Sequence, residues 1–179
     1  ANEQESFKIN YSDIIIETED DVLSIASRLR KDLELGKSGI ISPIEILEGL
    51  GVKIIEIDTT DKFDGFSFTV SGIFVIVLNK RFTPERKRLS LFHELGHKLL
   101  CFSEKIDDKT EERLCNIFAN EVLLPSEVFI SRIGRFRNSI SLIELKDLQS
   151  QYGISIDAMI VKARLLNIIS SNTLSLIHI

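Results

Sequence analysis

The sequence predicts an α+β fold, with strands and helices segregated along the chain. Three observations predict it. Apolar residues at helical spacing open the chain, β-branched runs cluster between residues 52 and 78, and amphipathic patterns then recur as far as residue 166. The expected architecture is a small three-stranded, mostly antiparallel sheet packed on a helical core, with a C-terminal helical pair.

Each element has its own signal. Val22, Ile25, Ala26, Leu29 and Leu33 recur at three- and four-residue spacing and mark a helix over 19–35, closed by Gly36 and Gly39. Ser42-Pro43 supplies an N-cap and a Pro at the first helical position, so a short helix follows through Leu50 and stops at Gly51. Residues 52–57 form a β-branched strand. After turn residues at 61–65, residues 66–70 and 73–78 read as two strands joined at Ser71-Gly72, a hairpin signal. Thr83-Pro84-Glu85 caps and opens a helix expected to reach Cys101. A polar loop at 103–109 leads to a helix over 110–124, ended by Pro125, and another helix from Pro125-Ser126 to Ile133. Two more, near 141–151 and 155–166, are split by Tyr152-Gly153-Ile154. The reading divides one compact domain into an N-terminal helical segment (1–40), a central core (41–125), C-terminal helices (126–169) and a tail (170–179) with no periodic pattern, expected to be disordered.

Composition narrows the function classes. The 179 residues carry a net charge of −5, which argues against a protein built mainly to grip phosphate backbones. Two cysteines, Cys101 and Cys115, are too few for a disulfide scaffold and are expected to be buried thiols, with thiolate ligation a minor alternative. No apolar stretch approaches the roughly 20 residues needed to cross a bilayer, and the polar, acidic start is unlike a signal peptide. The expectation is a cytoplasmic protein with no membrane partner.

Two of the three histidines stand four residues apart in His93-Glu94-Leu95-Gly96-His97, inside a predicted helix. At 3.6 residues per turn both imidazoles lie on one face, where they can grip one tetrahedral zinc ion. Glu94 is offset from that face, placed to act as general base toward the attacking water rather than as a ligand. A catalytic zinc needs a third protein ligand. Cys101, Glu104, Asp107, Asp108, Glu111, Glu112, Cys115 and Glu121 are the downstream candidates. Glu112 shares a helix face with Asn116 one turn later, so it is the chosen ligand, and Asn116 is expected to orient a ligating His. Glu111 and Glu121, turned about 100° and 180° away on the wheel, are expected to point elsewhere. A two-His, one-carboxylate set also suits other divalent ions.

The run from Phe82 through His93-Glu94-Leu95-Gly96-His97 to Leu100, together with residues 112–125, resembles metallopeptidases of the ImmA/IrrE type. The resemblance extends more weakly over 41–167. It implies a zincin-like core and a gluzincin-like, zinc-dependent endopeptidase of narrow specificity. His93, His97 and Glu112 would hold the zinc, and Glu94 would be catalytic. Relatives of this type often cut a helix-turn-helix repressor to relieve repression. The implied partner is then a separate protein substrate of that kind, because the 40 or so residues ahead of the family-like segment leave no room for a DNA-reading domain. An oxyanion-stabilising side chain is expected, and Tyr11, Tyr152 and His178 are the remote candidates.

A substrate peptide commonly adds to a sheet edge. Residues 66–70 or 73–78 are the candidates, with Ile73, Phe74 and Val75 taken as the edge positions. The segment 148–166 has the outline of a helix-turn-helix with Lys162 and Arg164 on its second helix, but Asp157 interrupts the basic face, so direct nucleic-acid contact is not expected. A non-proteolytic, zinc-bearing binding module is the main alternative, and a DNA-binding regulator using 148–166 the lesser one.

Overall fold

The computed structural model describes Phe7, residues 9–170 and the backbone of Ile177–His178. The elements in order are β1 (Ile15–Ile16), α1 (Glu19–Asp32), α2 (Pro43–Gly49), β2 (Lys53–Ile57), β3 (Gly65–Val70), β4 (Ile73–Asn79), α3 (Pro84–Leu99), β5 (Cys101–Phe102), α4 (Asp108–Leu123), α5 (Ser126–Ile133), β6 (Ile140–Ser141), α6 (Leu142–Tyr152), α7 (Ile156–Leu165) and β7 (Ile177–His178). The α+β class holds. None of the described helices is long and apolar enough to cross a membrane.

β4 organises the sheet. Six consecutive buried residues, Phe74 to Asn79, make it the most enclosed strand, so it takes the centre of the order β2-β4-β3. The expectation of a mostly antiparallel sheet is corrected here. The β3–β4 hairpin is antiparallel, but β2 lies on the other side of β4 and runs parallel to it, giving a mixed sheet. A strand buried on both faces tolerates a parallel neighbour, and this one cannot be an edge. Of the expected edge residues, Val75 is paired on both sides, with Phe68 of β3 and Lys53 of β2, while Ile73 and Phe74 pair with β3 alone, ahead of the start of β2. β3 is the edge. Its Phe66, Phe68 and Val70 are 44–51% exposed on the outer face, while Ser67 turns inward toward α3.

α3 packs beneath the sheet, α4 packs on α3, and α1 backs α4. One cluster of buried side chains joins them, including Phe92 and Leu95 of α3, Phe118 and Val122 of α4, and Ile25 and Leu29 of α1. The cluster continues into α2, α5, α6 and α7 through Leu47, Phe129, Leu145 and Met159. α4 starts two residues earlier than expected because the Asp107 carboxylate accepts from the Thr110 N–H and caps it. Two pairs of two-residue strands carried no sequence signal: β1 with β5, and β6 with β7, both parallel. The expected disordered tail falls mostly outside the described residues, but Ile177–His178 pairs with β6.

The turn between α6 and α7 is tied to α3. Arg88 donates from Nε to Gly153 O at 3.1 Å and from Nη2 to Ile40 O at 2.5 Å and Tyr152 O at 3.3 Å. Gly153 adopts φ +62°, and an added Cβ would lie 2.3 Å from Arg88 Nε. Gly153→Ala should therefore lose about 2–3 kcal/mol, from left-handed strain and the displaced guanidinium, measured by urea unfolding.

Candidate metal centre

The two helices that build the site are started by their caps. Thr83 caps α3 through the Arg86 N–H, with Pro84 at the first helical position, which sets the register that turns His93 and His97 toward α4. Gly96 lies where the helices cross. A Cβ there would sit 3.1 Å from Phe118 Cδ1 and 3.4 Å from Cys115 Sγ, so the missing side chain is what lets α4 come close.

Three acceptor atoms converge as a result. His93 Nε2 lies 3.1 Å from Glu112 Oε2, His97 Nε2 lies 3.0 Å from Glu112 Oε1, and the two Nε2 atoms are 3.2 Å apart. The other ring nitrogens settle the tautomers. His93 Nδ1 donates to Asn116 Oδ1 at 2.8 Å and His97 Nδ1 donates to Glu111 Oε1 at 3.0 Å. Amide and carboxylate oxygens only accept, so each Nδ1 carries a hydrogen, and in the neutral imidazole Nε2 is then the nitrogen with the lone pair. Two lone pairs and a carboxylate facing one point repel one another unless a cation sits between them. Donors around a tetrahedral ion at roughly 2.0–2.1 Å stand about 3.3 Å apart, close to this triangle. The donor set therefore fits zinc. Among the described residues, His93, His97 and Glu112 are the one group of three metal-ligating side chains brought together.

Glu94 is buried, and its Oε2 accepts from Ser67 Oγ of β3 at 2.5 Å. It lines a cleft of about 820 Å³ with His93, His97, Glu112, Ser67 and Asn116. Edge strand β3 forms one wall of this cleft through Gly65, Phe66 and Ser67, with Arg86 and Leu89 of α3 along the floor. Cys115 is fully buried behind the ligands. Burial first, then Glu111, Glu112 and Glu94, push its thiol well above the ordinary range.

The structure brings together His93, Glu94, His97, Glu112 and Asn116, as the helical arithmetic places them. Glu111 corrects that arithmetic, because its side chain does reach the site, through His97. Helical wheels locate Cβ atoms, whereas a glutamate has two further carbons of reach and His97 Nδ1 lies to the side of the metal point. Ser67 was missed altogether. Its signal was the polar residue between Phe66 and Phe68 in an alternating strand, which marks the face turned toward α3. Glu121 does point elsewhere, accepting from Ser126 at the start of α5 and from Lys162. Tyr11 and Tyr152 take no part in the cleft: their hydroxyls donate to Asp32 Oδ2 at 2.7 Å and to Lys37 O at 2.9 Å. The His178 side chain lies outside the described residues. The helix-turn-helix outline of α6 and α7 also loses its basic face, because Lys162 is buried with Nζ 2.6 Å from Glu121 Oε2. Arg132 and Arg137, on either side of Gly134, are likewise engaged, by Asp147 and by Glu144.

Comparison with known proteins follows this geometry. The family model for the IrrE N-terminal-like peptidase domain matches residues 47–164. Two curated relatives described as radiation response metalloprotease IrrE are similar over 74 residues. That of Deinococcus radiodurans is 35% identical over 35% of this chain and 23% of its own length. That of Deinococcus deserti is 34% identical over 35% of this chain and 26% of its own length. Among solved structures, a Mycobacterium tuberculosis transcriptional regulator matches with a TM-score of 0.59 at 14% identity, over 83% of this chain and 47% of that one, a likeness of fold. The matched region spans about a quarter of the curated relatives and about half of the solved chain.

Substitutions at three acidic and amide positions of α4 should separate the proposed ligand from its supports. Glu112→Ala should weaken zinc binding by more than about a hundredfold, while Glu111→Gln and Asn116→Ala should each cost about 10- to 100-fold, read by competition with a chromogenic chelator.

Proposed function

Because the chain belongs to the IrrE N-terminal-like peptidase family, whose members use a metal, we propose that it is a zinc-dependent endopeptidase of narrow specificity acting on a protein substrate. The observation that carries this is the convergence of His93 Nε2, His97 Nε2 and the Glu112 carboxylate beside a buried Glu94 at the floor of an open cleft. His93, His97 and Glu112 hold the metal. When bound, zinc supplies Lewis-acid chemistry at the scissile carbonyl and makes water easier to deprotonate.

The chain's own residues supply the rest. Asn116 and Glu111 fix the two imidazoles in the ligating tautomer. Ser67 holds Glu94 by Oε2, so Oε1 is the oxygen that takes the proton of the attacking water and returns it to the departing amine. The peptide lies along edge strand β3, using its free backbone groups, in place of the β4 positions expected from the sequence. The substrate class implied by the resemblance is a separate helix-turn-helix repressor in the cytoplasm, cut to relieve repression. The charge of −5, with Lys162 turned inward, supports leaving DNA contact to that partner.

A second reading keeps the zinc but not the cleavage: a regulatory module that acts by binding. It is favoured by one observation, that neither tyrosine considered as an oxyanion donor lines the cleft. Glu94→Gln separates the two. Zinc affinity should stay within about threefold, since Glu94 is not a ligand, while cleavage falls by at least about a hundredfold. The assay labels new protein N-termini in a cell extract after incubation with each zinc-loaded protein. Termini that appear with wild type alone, within a helix-turn-helix protein, bear out the endopeptidase. A Glu94→Gln protein that retains the full biological effect selects the binding module.

A further inference from the structure

An apolar groove opens beside the metal cleft, and nothing in the peptidase reading uses it. Leu89 of α3 and Asn116 of α4 line both depressions, and from there the groove runs between Ile117 of α4 and Ala158, Val161 and Leu165 of α7. It holds about 370 Å³. Val161 and Leu165 are 49% and 41% exposed, so α7 turns two large apolar side chains outward at this one place.

The polar groups around the groove are already engaged. Arg113 at its rim pairs with Glu19. Asn120 donates to Ala158 O at 2.9 Å and accepts from Lys162. Asn116 Oδ1 is taken by His93. What the groove offers an incoming group is therefore apolar contact. Its far wall is also fixed, because the same helix that exposes Val161 and Leu165 buries Lys162 against Glu121 of α4.

We propose that this groove is a specificity subsite that receives a large apolar side chain of the substrate, of the leucine, methionine or phenylalanine kind, within about two residues of the scissile bond. The proposal rests on the peptidase reading. Continuity identifies the occupant. Leu89 and Asn116 line both the cleft and the groove, and Asn116 is hydrogen-bonded to the His93 imidazole, so the groove opens directly beside one of the proposed ligands. A peptide passing the metal has one such side chain within reach of Leu89, Val161 and Leu165, and burying it there is favourable. α7, the second helix of the helix-turn-helix outline, is thereby a wall for substrate side chains.

Metal-anchored probes test this without a known substrate. Acetohydroxamate and N-acetyl dipeptide hydroxamates (Gly-Gly, Leu-Gly and Gly-Leu) are titrated calorimetrically into zinc-loaded wild type, Val161→Glu and Leu165→Glu. Both positions are partly exposed, so the variants should fold, and acetohydroxamate reports on the metal in each. In wild type at least one leucine probe should bind about tenfold more tightly than Gly-Gly, and the advantage should fall to about twofold or less in both variants. Equal binding of leucine and glycine probes in wild type, with acetohydroxamate still bound, overturns the subsite and leaves the peptidase reading standing. A leucine advantage that survives both substitutions also overturns it. Failure of acetohydroxamate to bind removes the metal reading and the subsite with it. A concentration-dependent dimer in sedimentation that Val161→Glu dissolves would assign the groove to a second copy of the chain, against the proposal.

Discussion

The close approach of α3 and α4 is the constraint on which the site depends. Two imidazoles on one helix face need a carboxylate from another element within about 3 Å, and the second helix can supply it only where the axes come near. Gly96 occupies that crossing, with Phe118 and Cys115 filling the space a side chain would take. The same closeness explains features that look separate. Cys115 is sealed behind the two imidazoles, and burial pushes its thiol up. Glu111 and Asn116 reach the backs of the two imidazoles by direct hydrogen bonds across the same crossing. α1 supports α4 from outside and the sheet supports α3, so the pair is clamped from both sides.

Electrostatics make the same point from another direction. Glu94, Glu111 and Glu112 gather around two imidazoles that carry their hydrogens on the outward nitrogens. Helix geometry eases the arrangement. Glu111 stands in the first turn of α4, where the helix dipole favours negative charge, and His97 stands in the last turn of α3, where it favours a cation. Helix ends of opposite sense thus meet at the metal point. A carboxylate buried this close to others is costly unless something positive or hydrogen-bonding holds it. Ser67 does this for Glu94, and His97 does it for Glu111.

How much of this was legible in the sequence depends on whether the relevant period was local. His93, Glu94 and His97 follow from the i, i+4 rule, and Asn116 follows from Glu112 by the same rule. Caps and glycines placed most helix starts and stops within about two residues. What could not be read was pairing between distant segments. Ser67 stands 27 residues before Glu94, and only the tertiary packing of β3 on α3 joins them. The place of β4 was partly legible. Phe74 to Leu78 is a continuous apolar run, which signals a strand covered on both faces, and taking Ile73 to Val75 as an edge set that signal aside. That burial leaves the direction of the second neighbour unspecified, which is why the parallel pairing of β2 was not read.

The C-terminal helices show how a familiar outline can carry a different role. A helix, a glycine turn and a second helix with two basic residues suit a DNA reader in sequence. In the fold the basic residue that matters, Lys162, is spent inward on Asn120 and Glu121 of α4. Arg88 of α3 reaches the carbonyls of Tyr152 and Gly153 in the turn itself. Both helices that carry the proposed metal ligands are therefore bonded to the α6–α7 pair, one to its turn and one to its second helix. A shift of α7 would move the wall formed by Val161 and Leu165 and would pull on α4, the helix that bears Glu111, Glu112 and Asn116. In the proposed site, the wall for substrate side chains on α7 and the ligand on α4 are therefore joined through the buried Lys162–Glu121 contact.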